Sequence, residues 1–296
     1  MKMRKPPSRV IPAAAGVLIV LTCTVCSGGG KDPVHDDPVT PSTAQVGAGG
    51  DAAAEPGDDK PKLLGYEVIA RYPHDKEAYT QGLLIVDGKL YEGTGRYGES
   101  SVRLVELKTG KVLKKRRVDI GLFGEGLASV GGLLYQLTWK SGKALLYDRE
   151  TLRPLSYGYT YKDTYKGEGW GLTTTPEGLL VLSDGSDVLH FLEPKGMKEK
   201  RRISVTDRGR KVRDINELEW IDGEIWANIW KSDRIARIDP KTGKVLAWVN
   251  LRGILGKYRV ASPIEDVLNG IAYDEETGDI FVTGKHWPYL FQIRVK

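Results

Sequence analysis

Gln81-Gly82-Leu83-Leu84-Ile85-Val86-Asp87-Gly88-Lys89-Leu90-Tyr91-Glu92-Gly93-Thr94 sets two apolar runs on either side of an Asp-Gly pair. Its opening triplet, polar at the first position and Leu or Ile at the third, comes back with little change. The other copies are Glu125-Gly126-Leu127, Trp170-Gly171-Leu172, Asn216-Glu217-Leu218 and Asn269-Gly270-Ile271, at successive intervals of 44, 45, 46 and 53 residues. A recurrence at this period marks a repeat architecture with one supersecondary unit per repeat. Turn signals follow each of the first four triplets, at Asp87-Gly88, Gly131-Gly132, Glu177-Gly178 and Asp222-Gly223. Such pairs between apolar runs predict tight hairpins.

Each hairpin folds the residue fourteen places after a triplet's first position back beside that position. The partners are Gly95, Trp139, Asp184, Trp230 and Thr283, and the longer last turn, Asp274 to Asp279, moves the final match to Lys285. In the first unit the strands are expected at 81–86, 89–94, 102–107 and 112–118. Four-stranded units of this length predict an all-β, five-bladed β-propeller with antiparallel strands. The fifth unit runs out of chain after three strands, while an unassigned run, Tyr66 to Tyr72, precedes the first. That run is expected to complete the last blade, which removes an exposed sheet edge.

The chain opens with Lys2, Arg4, Lys5 and Arg9 ahead of an uncharged stretch, Val10 to Gly30, whose apolar centre is too short to span a membrane comfortably. Residues 1–26 are therefore expected to be a secretory signal. The only cysteines, Cys23 and Cys26, lie at its end before Ser27-Gly28-Gly29-Gly30, which resembles a bacterial lipoprotein start. Lipid attachment and ordinary cleavage both stay open, and either gives a secreted or periplasmic protein without a disulfide. Residues 27–61, rich in Gly, Ala, Pro and Asp, are expected to be a disordered linker to the single domain at 62–296.

In a propeller the inner strand begins, and the second strand ends, on one face. Gln81, Glu125, Trp170, Asn216 and Asn269 are then expected to meet Trp139, Asp184, Trp230 and Lys285 at one mouth. Amides near a propeller axis often only tie blades together, and this bland role stands beside a substrate role for Gln81 and Asn269. Three tryptophans on symmetry-related positions favour a ligand platform. Glu168 and Glu219 are expected to bond neighbouring blades or loops, and Asp184-Gly185-Ser186 to form a turn.

Four histidines, His35, His74, His190 and His286, show no zinc-ligand spacing. A calcium held by carbonyls of the channel would leave no mark in the sequence and stays open. The basic runs Lys114 to Arg117 and Lys198 to Arg202 fall on outer strands, where charge discourages edge pairing, so nucleic acid is not expected as a partner. The formal net charge of +5 includes the four cations of the signal. No unit shows a strongly apolar outer face, so a monomer is expected.

The runs Ala78-Tyr79-Thr80-Gln81-Gly82-Leu83, Phe123-Gly124-Glu125-Gly126-Leu127, Leu137-Thr138-Trp139, Glu168-Gly169-Trp170-Gly171-Leu172, Asn216-Glu217-Leu218-Glu219 and Leu268-Asn269-Gly270-Ile271, with Gly284-Lys285-His286-Trp287-Pro288, resemble the plant-type and bacterial glutaminyl cyclases. The resemblance covers residues 65–296. It implies a five-bladed propeller that converts N-terminal glutamine of peptides or proteins to pyroglutamate with loss of ammonia, with no cofactor required. It also implies Glu125 as proton carrier, Asn216 and Lys285 as donors to the oxyanion, and Gln81, Phe123, Trp139, Trp170, Trp230 and Asn269 as substrate-binding residues. The rival expectation is a non-catalytic propeller that binds peptides or glycans at a Trp-lined mouth.

Overall fold

Three of the tight turns fold as the sequence predicts. Asp87-Gly88, Gly131-Gly132 and Asp222-Gly223 hold both central residues at positive φ, the type I′ geometry that matches strand twist. The computed structural model describes residues 60–296 apart from 157, 162–166 and 259. The expected signal and nearly all of the expected linker lie outside these residues.

Among the described residues five sheets of four or more strands follow one another along the chain, and no α-helix occurs. Numbering the strands in chain order, β1 is Lys62–Leu64 and β2 is Tyr66–Pro73. Blade 1 holds β3 (Thr80–Val86), β4 (Lys89–Thr94), β5 (Ser101–Glu106) and β6 (Lys111–Arg117). Blade 2 holds β7 (Gly124–Val130), β8 (Leu133–Thr138), β9 (Lys143–Asp148) and β10 (Tyr159–Thr160). Blade 3 holds β11 (Leu172–Thr174), β12 (Leu180–Ser183), β13 (Val188–Leu192) and β14 (Glu199–Ser204). A small hairpin, β15 (Thr206–Asp207) and β16 (Arg210–Lys211), leads into blade 4, which holds β17 (Ile215–Ile221), β18 (Glu224–Ile229), β19 (Arg234–Ile238) and β20 (Val245–Asn250). Blade 5 holds β21 (Leu268–Asp274), β22 (Asp279–Gly284) and β23 (Tyr289–Val295), and β2 completes it.

β2 runs antiparallel to β23, with Tyr66 opposite Val295 and Tyr72 opposite Leu290. This is the closing strand expected from the missing fourth strand of the last unit. Its neighbour was not foreseen: β1 pairs in parallel with β20, placing Lys62 opposite Ala247. The N-terminal segment thus covers the outer edges of two adjacent blades, 4 and 5.

Packing between blades closes the ring. Five buried apolar clusters are found, one at each blade junction. Leu84, Tyr91 and Leu134 join blades 1 and 2, Leu137 and Leu182 join 2 and 3, and Phe191 and Ile225 join 3 and 4. Trp226 and Phe291 join 4 and 5, and Leu90 and Phe281 join 5 to 1. At this last junction His74, just past β2, lies between the Trp287 carbonyl at 2.7 Å and Glu92 of β4 at 3.0 Å.

The triplets stand innermost. Glycine at the second position lets adjacent blades touch there: a Cβ on Gly126 would lie 2.5 Å from the Leu172 nitrogen, and one on Gly82 would collide with Leu127. The fourth unit carries Glu217 instead. Its carboxylate accepts from the backbone N–H of Leu83 in blade 1 at 3.2 Å and of Ile271 in blade 5 at 2.8 Å, tying three blades at the axis.

Candidate active site

A ladder irregularity sits at the triplet in four blades, between Thr80 and Gly82, Gly124 and Leu127, Ile215 and Leu218, and Leu268 and Ile271. A β-bulge re-aims a side chain, and here it acts on the first residue of each triplet. Across each bulge the predicted partner is in place. Gly95 N–H donates to Tyr79 O at 2.8 Å, Trp139 to Phe123 O at 3.0 Å, Trp230 to Asp214 O at 2.8 Å and Lys285 to Val267 O at 2.9 Å.

The two rings enclose a cavity of about 250 Å³ lined by Tyr79, Gln81, Phe123, Glu125, Trp139, Trp170, Asn216, Trp230 and Lys285. Phe123 and Trp139 pack with ring centroids 5.5 Å apart, and Trp170 meets Trp230 edge to face at 5.6 Å. Gly95 lacks the side chain that would collide with the Phe123 ring, and a Cβ on Gly185 would stand 2.8 Å from Trp170. Two small positions thus make room for two of the aromatic walls.

The charged groups are at the floor. Glu125 is only 4% exposed, and burial raises its pKa well above the usual carboxylate value, with Lys285 pulling it back down and Glu168 adding to the rise. Lys285 is 3% exposed, and burial lowers its pKa to about 8 against the attraction of Glu125 and Glu265. Its ammonium lies 4.7 Å from the centre of the Tyr79 ring. A carboxylate pushed up and an amine pushed down in one cavity is the electrostatic signature of a site for proton transfer.

The amides are oriented by neighbours. Asn269 is fully buried behind Gln81 and does not line the cavity; its Nδ2 donates to Thr80 O at 2.9 Å and to Gln81 Oε1 at 3.1 Å. Gln81 therefore keeps its own N–H groups for other partners. The Oδ1 of Asn216 is buried and has no hydrogen-bond partner among the described residues.

Glu168 holds the aromatic walls. Its Oε2 accepts from the indole N–H of Trp139 at 2.5 Å and of Trp170 at 2.9 Å. Both of these indole N–H groups are thus committed to a carboxylate. Asp184 forms the expected turn, accepting from Ser186 N–H at 2.9 Å and Oγ at 2.6 Å. Glu219 bonds neighbouring blades, accepting from Tyr273 N–H at 3.0 Å and Thr173 Oγ1 at 3.3 Å. Among the described residues no three or more His, Cys, Asp or Glu side chains are grouped to hold a metal ion.

The model of the glutamine cyclotransferase family matches residues 42–295. The chain belongs to that family. It is 46% identical over 235 residues to the glutaminyl-peptide cyclotransferase of Arabidopsis thaliana, a match that covers 78% of this chain and 71% of that one. The crystal structure of Myxococcus xanthus glutaminyl cyclase superposes with a TM-score of 0.71 at 38% identity, covering 80% of this chain and 99% of that one. Two features of this cyclotransferase fold escape sequence reasoning. Tyr79 stands in a quoted motif but two residues before the ring position, so no count to the ring position selects it. The Glu168 clamp joins a carboxylate to an indole 29 residues away, a pairing that no spacing rule contains.

Proposed function

We propose that this chain is a glutaminyl-peptide cyclotransferase in which Glu125 moves the proton. The observation that supports this reading most is Glu125 itself, buried on the cavity floor within the field of Lys285. The substrate's α-amino nitrogen attacks its own γ-carboxamide carbon, so the nucleophile comes with the substrate. The new C–N bond closes the five-membered lactam, and the carboxamide C–N bond breaks with departure of ammonia. One proton must travel from the attacking amine to the leaving nitrogen. A single carboxylate can carry it both ways, and a raised pKa brings Glu125 closer to that of an α-amino group, roughly 7.7–8.0.

Holding the side chain curled supplies much of the acceleration, because the reacting atoms meet without a bimolecular encounter. The Phe123, Trp139, Trp170 and Trp230 rings enclose its methylene stem. The oxyanion that forms at the amide carbon is met by Asn216 Nδ2 and Lys285 Nζ, since Glu168 occupies two of the indole N–H groups. Asn269 acts at one remove by fixing the orientation of Gln81.

None of these steps uses a metal. Ammonia release from a glutaminyl dipeptide, with pyroglutamate confirmed by a mass loss of one ammonia, tests the reading in the presence of a strong chelator. Turnover is expected to continue unchanged. Loss restored by zinc would overturn metal independence, loss restored only by calcium would assign a structural ion to the channel, and binding without turnover would replace the enzyme by a binding module.

A further inference from the structure

The cavity of about 250 Å³ falls below the roughly 300–1,000 Å³ of pockets that enclose a drug-sized ligand. It suits one glutaminyl residue of nine non-hydrogen atoms and little else. With its carboxamide at Glu125 on the floor, the carbonyl end of that residue must face the mouth. The next residue of the substrate therefore lies on the rim.

The rim between blades 1 and 2 is apolar. Tyr97, after β4, stands edge-on to the cavity-lining Phe123 with centroids 5.4 Å apart, and it is 54% exposed. Ile120, before β7, is 78% exposed and lies against Gly98, within 3.4 Å of where a Cβ there would be. Tyr97 thus continues the aromatic wall outward from Phe123, and aliphatic Ile120 lies beside the next residue, Gly98. Both loops are pinned from beneath. Ser100 Oγ donates to Arg96 O at 2.6 Å and accepts from Gly124 N–H at 2.9 Å, and Asp119 Oδ1 accepts from Gly121 N–H at 2.9 Å. Two large apolar side chains held open to water on fixed backbone form a preorganised surface.

Charges bound this sector on both sides. Arg96 pairs with Glu265 at 3.0 Å, and Lys140 stacks on Trp139 at 3.8 Å beside Glu168. Arg96 and Lys140 are each already paired at the edge of the shelf, so an acidic side chain would find neither of these two cations free.

We infer that the Tyr97–Ile120 shelf is a second subsite, which takes the side chain of the residue after glutamine and favours a large apolar or aromatic one. The inference rests on the cyclotransferase reading and adds a substrate class to it.

Steady-state cyclisation of Gln-Phe-amide, Gln-Gly-amide and Gln-Asp-amide by the purified full chain tests it. The wild type is expected to favour Gln-Phe-amide over Gln-Gly-amide by about tenfold in kcat/KM, the lower end of what apolar contacts discriminate. Tyr97→Ser and Ile120→Ser should each bring that ratio down several-fold, mainly through KM for Gln-Phe-amide. The ratio is taken within one preparation, so a loss of folded protein cancels. A wild-type ratio near one, a preference for Gln-Asp-amide, or a ratio unchanged in both variants would overturn the subsite while leaving the cyclotransferase intact. Failure to cyclise any of the three peptides would instead sink both. A concentration-dependent dimer in sedimentation, abolished by Ile120→Ser, would assign the shelf to a second copy of the chain and overturn the inference.

Discussion

Glu125 and Glu217 are both buried at the centre of the ring, and burial pushes both well above the usual carboxylate pKa. Their surroundings differ in one respect. Glu217 spends its oxygens on two backbone N–H groups from two other blades. Glu125 has its acidity set by burial, Lys285 and Glu168, with no hydrogen bond among the causes. A desolvated carboxylate bonded to the backbone is a strut. One opposed only by charge, beside a cavity, is free to gain and lose a proton. The shift alone does not separate structure from chemistry; the partners do.

The sharpest way to break this contrast is to remove the proton from one side of it. Glu125→Gln keeps the size and most bonding of the side chain but cannot carry a proton, so kcat for a glutaminyl peptide should fall by on the order of 100-fold or more. The thermal midpoint should move little, and KM should change far less than kcat. Near-normal turnover in the folded variant would remove Glu125 from the mechanism.

Glu217 should show the reverse profile. Glu217→Ala leaves the N–H groups of Leu83 and Ile271 buried without an acceptor, at about 1–3 kcal/mol each. Chemical denaturation should therefore show a loss of about 2–6 kcal/mol, the sum of two such groups. The kcat of the molecules that remain folded should stay within about threefold, because the variant touches no group that faces substrate. Glu217→Gln, which keeps one acceptor oxygen, should recover part of the stability. A Glu217→Ala protein that was fully stable but inactive would erase the distinction.

The same contrast shows what the sequence could reveal. The repeat fixed the blades, the closing strand and the pairing of Glu125 with Trp139, because a propeller converts sequence period into spatial symmetry. Glu217 was visible as the break in that symmetry, standing where the other units have glycine. Its meaning was hidden, since the two N–H groups it reaches belong to residues 134 and 54 positions away. Asn269 occupied a ring position like Gln81, and only the fold shows that it turns to its neighbour. β1 was hidden for another reason. Three residues with no alternation carry no period, and their parallel pairing with β20 is set by where the chain must pass on its way to blade 5.

Glu168 lies between the two extremes, bonded to side chains that themselves face the cavity. Glu168→Ala should free the Trp139 and Trp170 indoles to reorient, raising KM about fivefold with a smaller effect on kcat, the pattern of a lost binding contact. Because Glu168 adds to the raised pKa of Glu125, the acidic limb of the kcat profile should also shift to lower pH. A fall in kcat as deep as that of Glu125→Gln would make Glu168 a second proton carrier.

The smallest effect concerns Glu219, which sits two residues along β17 from Glu217 and is bonded to blades 3 and 5. Burial raises its pKa from an ordinary 4.5 to about 8, with the N–H of Tyr273 and the hydroxyl of Thr173 working against the rise. Between those two values the folded protein binds a proton that the unfolded chain has released. Stability must then fall as pH rises. The contribution is complete below about 4.5 and gone above about 8. Glu125 and Glu217 act in the same direction. Lys285, lowered to about 8, acts in the opposite one, since the unfolded lysine binds its proton more tightly and stability is regained above that pH. A scan from about pH 5 to 8 therefore leaves Lys285 out and reports the buried carboxylates together with His74, whose pKa, despite burial, Glu92 and the Trp287 carbonyl raise above the ordinary 6.5. The melting temperature of the wild type should decline across it, and Glu219→Gln, which has no proton to lose, should decline less steeply. The difference between the two curves belongs to Glu219 and to the part of the Glu217 shift that the Glu219 charge causes, because the remaining groups are common to both proteins. Parallel curves would mean that Glu219 is already ionised in the folded ring, held by its two donors as a charged strut. The division between carboxylates that bond the backbone and one that moves a proton would then need a criterion other than burial.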